Sequence, residues 1–153
     1  MAKEKKVSSI LIGVAGEYFV AAELSRRGYV ASITLRNTKG IDIIASNEEG
    51  NKTVNIQVKT KSAGFKDWIL SKKSESITNK NMFYVFVSLG EDTDNPDFYI
   101  VPTKDVANYV KKGHKKWLKT PGKGGKMHKD TNIRIFGDKE NKYLDKWELL
   151  GLD

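Results

Sequence analysis

The stretch GIDIIASNEEGNKTVNIQVKTK, residues 40–61, decides the fold. Two runs rich in β-branched residues, at 41–45 and 53–61, flank a polar loop at 47–51 that contains Gly50. This pattern predicts a β-hairpin. In the second run, valine and isoleucine alternate with polar residues, so one face of that strand is apolar and the other is polar.

The polar residues of this hairpin are candidate site residues. Gln57 and Lys59 share one face of the second strand, about 6–7 Å apart along it. Pairing of the two strands brings Asp42 alongside, where Asp42 and Gln57 could share one oxygen-ligated ion such as Mg²⁺. Two plainer explanations stay open: Asp42 is a turn residue after Gly40, and the polar strand face meets only solvent.

An amphipathic helix is predicted upstream of the hairpin. Apolar residues recur at helical spacing over 7–27, and Gly28 is a suitable C-cap. Glu17 lies on the apolar stripe of that helix, and a buried carboxylate needs a cation, a metal or a donor. The alternative is a position at the rim of the stripe, in contact with water.

The remaining elements continue an α/β pattern in a chain of 153 residues, a length that suits one domain. The run at 133–136 is ambiguous, and 141–150 is predicted as a terminal helical turn and tail. Further strands are predicted at 29–35, 66–70, 82–89 and 98–101, and a helix from a Thr103 cap to about 112.

Composition favours a soluble globular protein, with 39 % hydrophobic and 30 % charged residues. The chain has no cysteine, so it has neither a disulfide framework nor a thiolate metal site. It has no signal-peptide core and no apolar run of membrane-spanning length. We therefore expect a cytoplasmic protein.

All of the excess positive charge lies in one segment. Residues 104–129 hold nine lysines and one acid, a net charge of +8 that equals the net charge of the whole chain. Such a segment attracts polyanions through counterion release, although a solvated face that aids solubility is the plainer alternative. Tyr109, His114 and Trp117 within it could stack on bases or anchor a helix to the core. The candidate nucleic-acid-binding residues are Lys61, Lys111, Lys112, Lys115, Lys116, Lys119, Lys123 and Lys126.

Three motifs in order give the chain a specific resemblance. Gly16-Glu17, Gly40-Ile41-Asp42 and Gln57-Val58-Lys59 resemble the motifs of the PD-(D/E)XK nuclease superfamily, which includes type II restriction endonucleases and archaeal Holliday-junction resolvases. The resemblance covers about residues 10–61. It departs from the usual pattern at Ile41, where proline is common, and at Gln57, where glutamate is usual.

The resemblance implies an α/β fold with a restriction-endonuclease-like core, in which helices flank a central mixed sheet in the order α-β-β-β-α-β. One nuclease-like domain would span 1–153, with the motif core at about 7–102 and a basic C-terminal segment at 103–153. The implied activity is metal-dependent hydrolysis of DNA phosphodiester bonds with Mg²⁺ or Mn²⁺. The implied partner is DNA, without a membrane, and a homodimer is compatible with this family.

The resemblance also implies roles for individual residues. Lys59 would orient the attacking water and offset charge on the phosphate. The catalytic set would be Glu17, Asp42, Gln57 and Lys59, and the metal would be held by Asp42, the Gln57 side chain, the Val58 carbonyl and Glu17.

The neutral side chain of Gln57 leaves two other functions open, because it removes one negative charge from the metal site. The first is a non-catalytic nucleic-acid-binding domain with the same fold. The second is a protein-interaction component of a defence system, in which the lysines meet an acidic partner.

Overall fold

A computed structural model describes residues 6–35, 38–62, 66–91 and 94–153. Short 3₁₀ helices lie at Lys72–Ser76, Lys123–Gly125 and Trp147–Leu150. The helices and strands, in chain order, are α1 (Ser9–Arg26), β1 (Val30–Ile33), β2 (Ile43–Ser46), β3 (Thr53–Lys61), β4 (Asp67–Ser71), β5 (Met82–Ser88), β6 (Asp97–Pro102), α2 (Thr103–Lys119) and β7 (Ile133–Gly137).

Five of the strands form a mixed sheet in the order β1-β2-β3-β5-β6. Strands β3 and β5 are parallel, and the other neighbours in this sheet are antiparallel. The predicted hairpin is present, with Ile43 opposite Ile56 and Ser46 opposite Thr53. The remaining two strands, β4 and β7, pair antiparallel as a separate ribbon.

The two faces of the sheet are covered by different elements. On one face, Val20 and Leu24 of α1 pack in a buried cluster with the alternating apolar residues of β3. On the other face, α2 and the β4–β7 ribbon pack against Tyr84 and Phe86 of β5 and against β6. The buried residues of this second cluster include none from β1, β2 or β3. The polar face of the hairpin is therefore left outside this part of the core.

Most predicted elements are present, with differences at their ends. Helix α1 begins after Ser8, whose side chain accepts a hydrogen bond from the Leu11 N–H (3.3 Å), and the ambiguous run at 133–136 is strand β7. The order of elements differs from the expected α-β-β-β-α-β, because six strands lie between α1 and α2. The parallel connection from β3 to β5 runs through β4 and a 3₁₀ helix instead of an α-helix. None of the helices among the described residues is long and apolar enough to cross a membrane.

Two predictions about α2 were wrong. The predicted Thr103 cap is not formed, because the N-cap residue is Pro102 and the Thr103 hydroxyl donates to the Asn79 carbonyl (3.0 Å). The helix also runs to Lys119 and not to 112, although Val110 is its last buried residue. Lysine is a strong helix former and is favoured at a helix C-terminus, so helical structure continues beyond the core.

Helix α1 crosses strand β3 in close contact at Gly16. A Cβ atom at this position would lie 1.7 Å from Thr60 Oγ1 and 2.8 Å from Thr60 Cβ. Gly13, one turn earlier, has no atom within 4 Å of the corresponding position. Absence of a side chain at Gly16 therefore sets the distance between helix and sheet.

Gly16→Ala should destabilise the protein by about 1–3 kcal/mol or more, because the added methyl group forces helix and strand apart. Gly13→Ala is the matched control and should be neutral or stabilise by up to about 1 kcal/mol through helix propensity. Urea denaturation of both variants measures the difference. Equal stability of the two variants would contradict the close crossing.

Candidate functional site

The site is built around Asp42, the residue before strand β2. Its N–H donates to the Ile56 carbonyl (2.8 Å), and its own carbonyl accepts from the Thr34 N–H (2.9 Å). Its carboxylate Oδ2 accepts from the Val58 N–H (2.7 Å). Backbone and side chain of Asp42 are thus both fixed to β3, and the carboxylate has one defined position.

Asp42 lies at the end of the regular pairing between β2 and β3. The register begins with Ile43 opposite Ile56, and the Asp42 N–H also donates to the Ile56 carbonyl (2.8 Å). The bond from the Val58 N–H then holds the Asp42 carboxylate at the residue that follows Gln57 on β3.

Gln57 and Lys59 lie on the sheet face that α2 covers over the neighbouring strands β5 and β6. Gln57 and Lys59 lie beside Tyr84 and Phe86 in the parallel pairing of β3 with β5, and paired residues of neighbouring strands point to the same face. The rings of Tyr84 and Phe86 belong to the α2 cluster. Asp42, Gln57 and Lys59 are all half-buried, so they border the core and remain accessible.

The carboxyl group of Asp42 is costly to ionise in the folded protein. Burial raises the pKa of its carboxyl group, and the Val58 N–H and the charge of Lys59 act in the opposite direction with smaller effect. Burial therefore penalises the carboxylate form, and a divalent cation would stabilise it.

Glu17 lies on the helix that covers the other face of β3. It is half-buried and follows Gly16, which contacts Thr60 on the apolar side of the strand. By alternation Gln57 and Lys59 point away from that side, so Glu17 would approach Asp42 around the end of the paired strands. Its place in the predicted set stays a prediction.

The donor set itself is small. Among the described residues, no group of three or more His, Cys, Asp or Glu side chains could hold a metal ion. A metal at this site would depend on the Asp42 carboxylate together with neutral oxygens of Gln57 and Val58.

Lys61, predicted to contact nucleic acid, has a partner within the protein. Its Nζ lies 2.5 Å from Asp67 Oδ1 and donates to the Asp67 carbonyl (3.1 Å). This contact ties the end of β3 to the start of the β4–β7 ribbon. Lys61 thereby joins the candidate site to the ribbon.

The other predicted lysines lie on the second half of α2 and the loop after it, which we call the basic arm (residues 111–126). All buried residues of α2 belong to its first half, up to Val110. The helical part of the basic arm therefore carries its lysines but contributes no buried residue to the core. The exposed lysines of the arm are Lys111, Lys112, Lys115, Lys116, Lys119, Lys123 and Lys126.

A set of contacts at the end of α2 was not predicted from the sequence. The Trp117 and His128 rings stack with centroids 4.1 Å apart, and His114 Nε2 lies 2.7 Å from Asp130 Oδ1. His114 was predicted to stack on bases or to anchor the helix, and both histidines are half-buried in the structure. Their partners are distant in sequence and follow no known spacing, so only the fold shows these contacts.

Comparison with known proteins shows the fold. No protein-family model matches the sequence, and no curated protein matches it. Among solved structures, the bacterial homing endonuclease I-Ssp6803I is 17 % identical over 95 % of this chain and 94 % of its own, with a TM-score of 0.55. The Holliday junction resolvase Hjc of Archaeoglobus fulgidus is 14 % identical over 82 % of this chain and 84 % of its own, with a TM-score of 0.46. The predicted restriction-endonuclease-like α/β fold is confirmed.

Asp42→Asn should raise the melting temperature at pH 7 in EDTA. Because the pKa of Asp42 is raised in the folded state, its neutral form contributes stability at low pH that is lost as pH rises through that pKa. Asparagine stays neutral and its side-chain oxygen can still accept from Val58. The advantage of the variant should therefore shrink below the ordinary aspartate pKa of 3.8.

Thermal unfolding from pH 3 to pH 8 tests this pH dependence. Glu48→Gln, on the exposed hairpin loop, is the control for loss of one negative charge. A wild-type protein as stable as Asp42→Asn at pH 7 would contradict the proposed cost of burying this carboxylate.

Proposed function

We propose that this protein is a Mg²⁺-dependent DNA endonuclease that hydrolyses phosphodiester bonds at Asp42, Gln57 and Lys59. The observation that supports the proposal is the Asp42 carboxylate, which accepts a hydrogen bond from the N–H of Val58, the residue between Gln57 and Lys59 on β3. The restriction-endonuclease-like fold supports it, because the fold is shared with a homing endonuclease. A cytoplasmic location and a homodimer remain predictions from the sequence.

The donor chemistry fits Mg²⁺. Asp42, the amide oxygen of Gln57 and the main-chain carbonyl of Val58 are hard oxygen donors, and Mg²⁺ sites commonly use one or two carboxylates with water and phosphate oxygens. The bound ion would lower the pKa of its water and withdraw charge from the phosphate. A cation would also stabilise the buried Asp42 carboxylate, whose pKa is raised by burial.

Lys59 is suited to a positioning and electrostatic role. It is two residues from Gln57 on the same strand face, and its charge already acts on Asp42. In this proposal its ammonium group binds a phosphate oxygen, orients the attacking water and offsets charge that develops in the transition state. In this proposal Glu17 reaches Asp42 around the end of the paired strands and acts through a water or a second ion.

DNA cleavage should require a divalent metal, and Asp42→Ala or Lys59→Ala should abolish it. The loss of one electrostatic stabiliser in an active site typically costs about 10²–10³ in rate. Gln57→Glu should retain or raise activity, because it restores a second charged ligand. Cleavage of supercoiled plasmid with Mg²⁺, Mn²⁺ or EDTA measures these effects.

The same assay separates a true activity from a contaminant. Equal cleavage by Asp42→Ala and wild type would assign the nuclease to another protein or another site. Glu49→Gln, in the exposed hairpin loop, is a control that should cleave like wild type.

A non-catalytic nucleic-acid-binding domain is the second candidate, favoured by the small number of acidic ligands at the site. Failure to cleave across metals and substrates, with salt-sensitive DNA binding retained, would select it. Both candidates assign sequence-independent affinity to the basic arm, because that affinity comes from lysine–phosphate contacts.

Neutralising Lys115, Lys116 and Lys119 to glutamine should reduce the dependence of DNA affinity on salt. Each lysine–phosphate contact contributes about −0.9 to the slope of log K against log salt, so three contacts would lower the slope by up to about 3. The matched control neutralises Lys139, Lys142 and Lys146, which are exposed outside the arm. Fluorescence anisotropy over a salt series measures both, and equal slopes would identify the arm as a solubility surface.

A further inference from the structure

A cleft of about 720 Å³ lies between the second half of α2 and strand β7. We call it the aromatic notch and define it by Tyr109, Gly113 and Trp117 on the helix and Ile133 and Ile135 on the strand. Its volume is that of a small-molecule site. Neither Asp42, Gln57 nor Lys59 lines it, so it is separate from the candidate metal site.

The notch results from the spacing of three residues along α2. Tyr109, Gly113 and Trp117 are spaced by four residues and so lie on one stripe of α2, with the Cα atoms of Tyr109 and Trp117 about 12 Å apart along the axis. Gly113 is the gap between them, and a Cβ atom added there would meet nothing within 4 Å. Ile133 and Ile135, each 54 % exposed, supply an uncovered apolar floor.

The charge at the notch comes from lysine. Lys112 and Lys116 line it and are exposed. Arg134 also lines it, but its guanidinium is buried and bonded to Glu75 (2.7 Å) and to the Thr131 carbonyl (2.7 Å). The charge of Arg134 is thus satisfied within the protein, and the lysines are the cations placed to meet a ligand.

The aromatic side chains, the apolar floor and the lysines of the notch are complementary to an unpaired nucleotide. An unpaired nucleotide has a planar base that stacks on aromatic rings and a phosphate that binds lysine. A base inside a duplex has both faces covered by its neighbours and cannot enter such a notch without leaving the stack.

The ribbon connects the notch with the candidate metal site. Ile133 pairs with Ser71 at one end of the ribbon, and Asp67 at the other end holds Lys61. Strand rise places these two ends about 13 Å apart. A strand of nucleic acid that lies along the ribbon therefore runs from the notch toward Lys61 at the end of β3.

We propose that the aromatic notch binds the base of an unpaired nucleotide, so that the preferred substrate is DNA with a single-stranded segment. This inference rests on the proposed function for its substrate class and specifies the form of that substrate. Lys112 and Lys116 bind the flanking phosphates, and Tyr109 and Trp117 contact the base. The Trp117 ring already stacks on His128 (4.1 Å) and contacts the base with the part of the ring that lines the notch.

Binding of two single strands of equal length in EDTA tests the proposal. One is oligothymidylate, and the other is an abasic oligomer with the same number of phosphates. Wild type should bind the base-containing strand about 5- to 150-fold more tightly, the range expected for one stacked base. Gly113→Leu should fill the gap and remove this preference, while affinity for the abasic strand stays unchanged.

The control is Asn108→Leu, which adds the same side chain at an exposed position of the same helix outside the notch. It should keep the wild-type preference, and circular dichroism should show all three proteins folded. Equal affinity of wild type for the two strands, or a preference that survives Gly113→Leu, would overturn the proposal. The proposal would also be overturned if an acidic, phenylalanine-containing peptide competed for the notch while the protein showed no preference for the base-containing strand.

Failure of this inference is distinguishable from failure of the proposed nuclease. Base preference is measured in EDTA, where no metal-dependent cleavage occurs. Metal-dependent cleavage by wild type without base preference would refute only the proposed binding of an unpaired base at the notch. Base preference without cleavage in any metal would refute only the nuclease.

Discussion

One hydrogen bond, from the Val58 N–H to the Asp42 carboxylate, organises the candidate site. Pairing of β2 with β3 begins at Ile43 and Ile56, and the Asp42 side chain accepts from a β3 donor just beyond this ladder. A backbone donor near the core is thereby satisfied without a further strand residue. The same bond fixes an acid beside Gln57 and the Val58 main chain. The position of this acid thus follows from the way the β2–β3 pairing satisfies its backbone donors at the end of the ladder.

The two helices use the sheet in different ways. Helix α1 covers the apolar side of β3 and crosses it closely at Gly16, so the strand that carries Gln57 and Lys59 has firm support behind it. Helix α2 packs over β5 and β6, and its cluster stops short of β3. The polar side of the hairpin consequently borders the core without being closed by it. A rigid strand with one uncovered polar face is what a catalytic group needs for defined positions and access to substrate.

Local sequence patterns predicted the strands well, but they could not predict contacts between segments that are distant in the sequence. The bounds of β3 at 53–61 match, because alternation is a property of neighbouring residues. The helix period identified the stripe that carries Glu17, but it could not show which sheet face that stripe covers, since packing decides the face. The notch joins α2 to a strand that the sequence left ambiguous. Helix α2 ran past its predicted end because helix propensity, not burial, sustains its lysine-rich half.

The neutral side chain of Gln57 and the charge of the basic arm are linked through the phosphate. If the site holds Mg²⁺ as proposed, one carboxylate leaves it with weak metal affinity and with little repulsion toward an incoming phosphate. A phosphate oxygen can then supply the negative ligand that glutamate would have provided. Metal and nucleic acid should each increase the affinity for the other by the same factor, as linkage requires. The lysines of the arm raise the local concentration of phosphate, so they also favour metal binding without touching the ion. In this arrangement the metal is held firmly only when a substrate is present.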